Sequence, residues 1–84
     1  MTNDQISNFL QNASLDKTKV QINFKSRNSM VGIFINSNDY TELKAKNLWR
    51  IVNESKIPEF LEGKDINAAR IFNGVEMTKL SLVK

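Results

Sequence analysis

Lys19-Val20-Gln21-Ile22-Asn23-Phe24-Lys25-Ser26-Arg27-Asn28-Ser29-Met30-Val31-Gly32-Ile33-Phe34-Ile35 is the stretch on which the fold turns. Val20, Ile22 and Phe24 alternate with Gln21, Asn23 and Lys25, the period of a strand with one face buried. Ser26, Arg27, Asn28 and Ser29 form a polar break of turn residues. Residues 30–35 then resume as a second strand, apolar on both faces. So short a break between two strands predicts a β-hairpin. Gly32 stands inside the second strand, where glycine marks a bend, a bulge or a close backbone approach.

Upstream the period is 3.6. Ile6, Phe9, Leu10 and Ala13 recur at i, i+3, i+4 and i+7, the stripe of an amphipathic helix packed on the rest of the domain. Thr2 with Gln5 fits a capping box, and Asp4 complements the positive helix end. A short helix over about residues 3–12 follows.

Downstream, Asn36-Ser37-Asn38-Asp39 is a loop signal, and Leu48-Trp49-Arg50-Ile51-Val52 is a third strand. Residues 41–46 alternate weakly and read either as a strand extension or as a loop. Residues 53–65 are polar, hold the single proline, Pro58, and Gly63, and carry Phe60-Leu61 in their middle. Residues 58–62 suit one helical turn with Pro58 at its first position. A connection this long in a small domain is usually functional or mobile. A fourth strand is expected over about residues 66–72, then Asn73-Gly74 as a turn, then a short fifth strand over 80–83. A helix followed by about five short strands predicts one mainly-β domain over residues 1–84. Its strands, over about 19–83, should form a strongly bent antiparallel barrel, because short strands must close or cover their edges.

The 84 residues allow one core and little room for a deep cleft. With no cysteine there is no disulfide framework and no thiolate metal site. With no histidine, the commonest general base and the commonest metal ligand are both missing. The nine acidic residues show no paired arrangement, and Glu59, Glu62 and Asp65 lack calcium-loop spacing. Gly32, Gly63 and Gly74 form no phosphate-cradling motif. These absences point to binding rather than catalysis, with no cofactor and no metal. Residues 1–12 are neither basic nor continuously apolar, unlike a signal peptide, and no run approaches the roughly eighteen apolar residues of a membrane span. A cytoplasmic protein is expected. The net charge of +3 permits a polyanionic partner without demanding one.

The arrangement resembles the Sm-like family, and within it the Hfq group of bacterial RNA chaperones. Phe9-Leu10-Gln11-Asn12-Ala13, a basic spacer through Lys17 and Lys19, and Val20-Gln21-Ile22-Asn23-Phe24 look like the Hfq helix passing into its first strand. Gly32 before Ile33 matches the glycine of the bent second strand. Asn47-Leu48-Trp49-Arg50-Ile51-Val52 is similar to the third strand, and residues 69–82 to the closing strand–turn–strand motif. The resemblance implies a barrel capped by its helix, joined fourth strand to fifth strand into a homo-oligomeric ring that binds RNA. It departs where Hfq has Tyr-Lys-His and this chain has Phe72, Asn73 and Gly74. The aromatic survives; the cation and the imidazole do not. Residues 53–65 are also longer than the corresponding connection in Hfq, and residues 40–46 read as an additional insertion.

On this reading the candidate RNA-binding residues are Gln5, Lys17, Lys19, Arg27, Phe72 and Asn73. With one acid, Asp16, just before it, Lys17, Lys19, Lys25 and Arg27 make a basic strip that reads either as a phosphate track or as an ordinary solvated surface. Phe72 is the best stacking face, whereas Trp49 and Phe34 read as core. Gln5 reads as a base or ribose contact that competes with its capping role. The alternative is a non-catalytic protein-interaction module on the same small barrel, RNA binding lost, with Phe60 and Leu61 holding the partner.

Overall fold

The computed structural model, which describes residues 1–63 and 65–83, begins with helix α1, Asn3–Leu10. The expected capping box is present: Gln5 N donates to Thr2 Oγ1 and Thr2 N donates to Gln5 Oε1. Ile6 and Leu10 are buried, and Phe9 and Ala13 pack half-buried beside them. The hairpin follows as β1, Val20–Phe24, and β2, Met30–Phe34, with Val20 opposite Gly32. Then come α2, Tyr40–Ala45; β3, Leu48–Asn53; α3, Ile57–Gly63; β4, Ala69–Asn73; and β5, Met77–Leu82.

The strands form one antiparallel sheet in the order β4-β3-β2-β1-β5. The sheet bends hard. Phe24 on β1 and Phe72 on β4 stand three places apart in that order, yet their ring centroids are 5.8 Å apart. Two features produce the bend. A Cβ on Gly32 would lie 2.5 Å from the Val52 carbonyl oxygen, so only glycine lets β2 and β3 approach this closely. Between Asn23 and Phe24 the β1–β5 register shifts, a bulge that lets Met77 as well as Leu80 point inward.

The closed barrel expected from the sequence is corrected to an open, bent sheet. β4 ladders with β3 and β5 with β1, and among the described residues no ladder joins β4 to β5. Their outer edges are therefore unpaired. Ile71 on β4 is 47% exposed and Leu82 on β5 46%.

Each face of the sheet has its own apolar cluster. The concave cluster contains Ile6, Leu10, Val20, Ile22, Phe34, Trp49, Ile51, Met77 and Leu80, and α1 covers it. Trp49 is 1% exposed and meets Phe34 and Tyr40 edge-on at 5.9 and 6.0 Å, so Trp49 and Phe34 are core. The convex cluster contains Ile33, Ile35, Val52 and Ala69, covered by Ile57 and Phe60 of α3. That second layer explains why β2 is apolar on both faces.

Two connections differ from expectation. Residues 41–46 are neither strand nor loop: they lie largely in α2. This helix has no side-chain cap. Its start is held by Asp39, which pairs with Arg50 of β3 at 2.7 Å and accepts from the Ser37 hydroxyl. The Arg50 guanidinium, then the Ser37 hydroxyl, hold the Asp39 carboxyl well below the usual carboxylate range. Residues 53–63 are more regular than a loop: a 3-10 turn, Glu54–Lys56, runs into α3, which contains the helical turn expected over residues 58–62. The first half of the expected fourth strand is likewise a 3-10 turn, Ile66–Ala68, capped by Asp65.

Candidate nucleic-acid interface

The β1–β2 turn and the end of β4 meet across the mouth of the bent sheet. Arg27 leaves the turn and lies over two rings, 5.1 Å from the Phe24 centroid and 5.5 Å from that of Phe72. Phe24 and Phe72 are half-buried, each with one side against the concave core. A guanidinium over an exposed aromatic face is held by roughly 0.5–1 kcal/mol, enough to orient it without burying its charge. Two clefts open on this cluster, and Arg27 and Phe72 line both. The larger, about 380 Å³, runs toward α3 and is floored by Met30 and Ile51. The smaller lies along Ser26, Ile71, Asn73 and Glu76.

Arg70 belongs to the same surface. It stands opposite Ile51, and Phe72 stands opposite Trp49, so both project from the concave side of β4. Among the described residues neither Arg27 nor Arg70 forms an ion pair. The mouth therefore presents two guanidinium forks beside an aromatic face, a combination suited to phosphate and base together.

Not all the residues singled out from the sequence come together here. Arg27, Phe72 and Asn73 do. Lys17 and Lys19 are exposed but sit at the other end of β1, about 17 Å away at roughly 3.3 Å per residue. Asp16 between them and the helix is structural. Its backbone adopts φ 67°, its N–H donates to the Phe34 carbonyl and its carboxylate accepts from Asn36 N. Gln5 is engaged in the capping box. The Asn73 carboxamide oxygen accepts from Val75 N, turning the chain into the 3-10 turn Gly74–Glu76. Phe60 is 5% exposed within the convex cluster, while Leu61 beside it faces solvent. Arg70 and Phe24 escaped the sequence reading. The only available signal was Arg70 two residues before Phe72, which places both on one face of a strand.

No protein-family model, curated protein or solved structure matches this chain. Among the described residues no helix is long and apolar enough to cross a membrane, and no group of three or more acidic side chains converges as a metal site would require.

Proposed function

We propose that this chain is an Sm-like, Hfq-resembling protein that binds single-stranded RNA as an oligomeric ring in post-transcriptional regulation. One observation carries the reading. A helix-first chain whose strands run β4-β3-β2-β1-β5 leaves the fourth and fifth strands as the free edges, the two that join protomers in the resembled family. An unpaired edge with exposed Ile71 and Leu82 is a liability for a lone domain and a joint for a ring. In such a ring the outer edge of β4 ladders with β5 of the next protomer, and the open sheet of each copy is closed by its neighbours. Lys17 and Lys19 then supply phosphate contacts near the helix, and Arg27 with Phe72 supplies a stacking site at the sheet mouth. The departures at Asn73 and Gly74 remove the uridine-reading lysine and histidine, so the base preference differs from that of Hfq.

Binding to A-rich and U-rich oligonucleotides should weaken steeply with salt. Three cations per protomer predict a slope of about −2 in log K against log salt, from about −0.7 per phosphate contact. Replacing Lys17, Lys19 and Arg27 together by alanine should remove most of that slope. Absence of salt-sensitive binding to either oligonucleotide would remove the RNA assignment.

A further inference from the structure

We propose that the larger cleft beside Arg27 holds a single nucleotide unit, its base on Phe72 and its phosphate on Arg70 and Arg27. The cleft has the volume of a small-molecule site, within the range of about 300–1,000 Å³. Besides apolar side chains and the carboxylates of Glu59, near Lys56, and Asp65, which accepts from Asn67 N, three kinds of group line it and together match one ligand class. The first is cationic. Of its three basic residues, Lys56 reaches Glu59 at 3.8 Å, while Arg27 and Arg70 carry no ion pair among the described residues. A guanidinium fork matches two phosphate oxygens at once, which an ammonium cannot do. The second is the Phe72 ring, whose face carries the Arg27 guanidinium at 5.5 Å, so a base stacks there as that side chain moves from the ring to the phosphate. The third is a pair of carboxamides. The Asn53 side-chain oxygen accepts from Ser55, but its amide hydrogens, and the whole Asn67 carboxamide, make no hydrogen bond among the described residues. Such groups are free to read the edge of a base. An inorganic anion would use only the first of the three, and an apolar ligand only the second.

The wall carrying Ser55, Lys56, Glu59, Asp65 and Asn67 is contributed by the connection from β3 to β4 that also covers the convex face. That gives the long connection a purpose beyond packing: it turns an open sheet mouth into a lined cleft. As one unit of a bound strand, the nucleotide presupposes the RNA reading above; as a free mononucleotide it does not.

The test is a titration of the whole protein with 5′-AMP, 5′-GMP, 5′-UMP, 5′-CMP and inorganic phosphate, followed by backbone amide and arginine Nε NMR shifts. At least one mononucleotide should move Arg27, Ser55, Asn67 and Arg70 and bind at least tenfold more tightly than phosphate. Arg70→Gln, at an exposed position, should weaken it at least tenfold. Lys46→Gln, an equal charge loss beside α2, should change it less than twofold. The assignment is overturned if no mononucleotide moves these residues, if phosphate binds as tightly, or if Arg70→Gln has no effect. Salt-sensitive oligonucleotide binding without any mononucleotide effect at the cleft sinks the cleft and spares the RNA reading. Mononucleotide binding at the cleft without oligonucleotide binding does the reverse.

Discussion

Gly74→Ala should destabilise the domain by about 2–6 kcal/mol, combining overpacking of about 1–3 with disturbed buried hydrogen bonds of about 1–3. A Cβ there would collide with the Asn47 carboxamide, its Cγ only 2.6 Å away, and with Ile6 Cδ1 at 2.7 Å. Asn47 has no room to yield. It sits at φ 58°, accepts from Trp49 Nε1, donates to the Met1 carbonyl, and accepts Gly74 N on its own carbonyl at 2.8 Å. The Met1 amino group in turn donates to the Gly74 and Met77 carbonyls. One carboxamide thus ties the helix entry, the start of β3 and the β4–β5 turn, and the missing Cβ of Gly74 is what lets them meet. A domain of this length has about 4–12 kcal/mol in total. Urea or thermal unfolding should show the loss as a fall of about 8 °C or more in Tm, at about 4–8 °C per kcal/mol. A change below about 0.5 kcal/mol would mean that Asn47 rearranges freely and that this knot is not a constraint.

Phe60→Ala should cost a similar amount, about 3–5 kcal/mol, the usual range for truncating a core phenylalanine. Phe60 and Ile57 are the side chains by which α3 covers Ile33, Ile35, Val52 and Ala69. Losing the larger of them opens the convex cluster and frees α3 from the sheet. Leu61→Ala, one residue on and solvent-facing, should stay within about 0.5 kcal/mol. Equal and small effects of the two substitutions in urea unfolding would show that α3 does not pack on the convex face. The contrast also bears on the protein-interaction alternative, since a buried Phe60 anchors the fold and only Leu61 is presented to a partner.

What could be read in the sequence, and what could not, divides by the range of the interactions concerned. The α1 stripe, its capping box, the β1–β2 hairpin and the Asn73-Gly74 turn rest on residues a few positions apart, and all are present in the structure. Gly32 was legible as a bend, a bulge or a close approach, and the structure decides between them, since a Cβ there would meet the Val52 carbonyl oxygen. Helix α2 was not legible. It is six residues long, has no side-chain cap, and owes its entry to the Asp39–Arg50 pair formed with β3. The covering role of α3 shows in the sequence only as Ile57 and Phe60 three apart. The twofold apolar character of β2 was the hint that something must lie over it. Barrel closure was overestimated because edges that a lone chain should hide are left open here. At the candidate site, Arg27 and Phe72 could be named separately. That they touch, with Phe24 beneath and Arg70 alongside, follows from a bend that brings β1 to β4 across three strand positions, and no local pattern encodes it.

The proposed ring requires the free β4 and β5 edges to join copies of this chain around RNA. Light scattering of the purified protein, with and without RNase treatment, measures both halves at once. The expected result is a discrete multiple of the 9.6 kDa chain mass that survives RNase, with nuclease-sensitive material absorbing at 260 nm beforehand. Replacement of Ile71 by lysine should lower that mass toward the single chain. A mass of one chain under both conditions, with no nucleic acid released, would contradict the proposed RNA-binding ring.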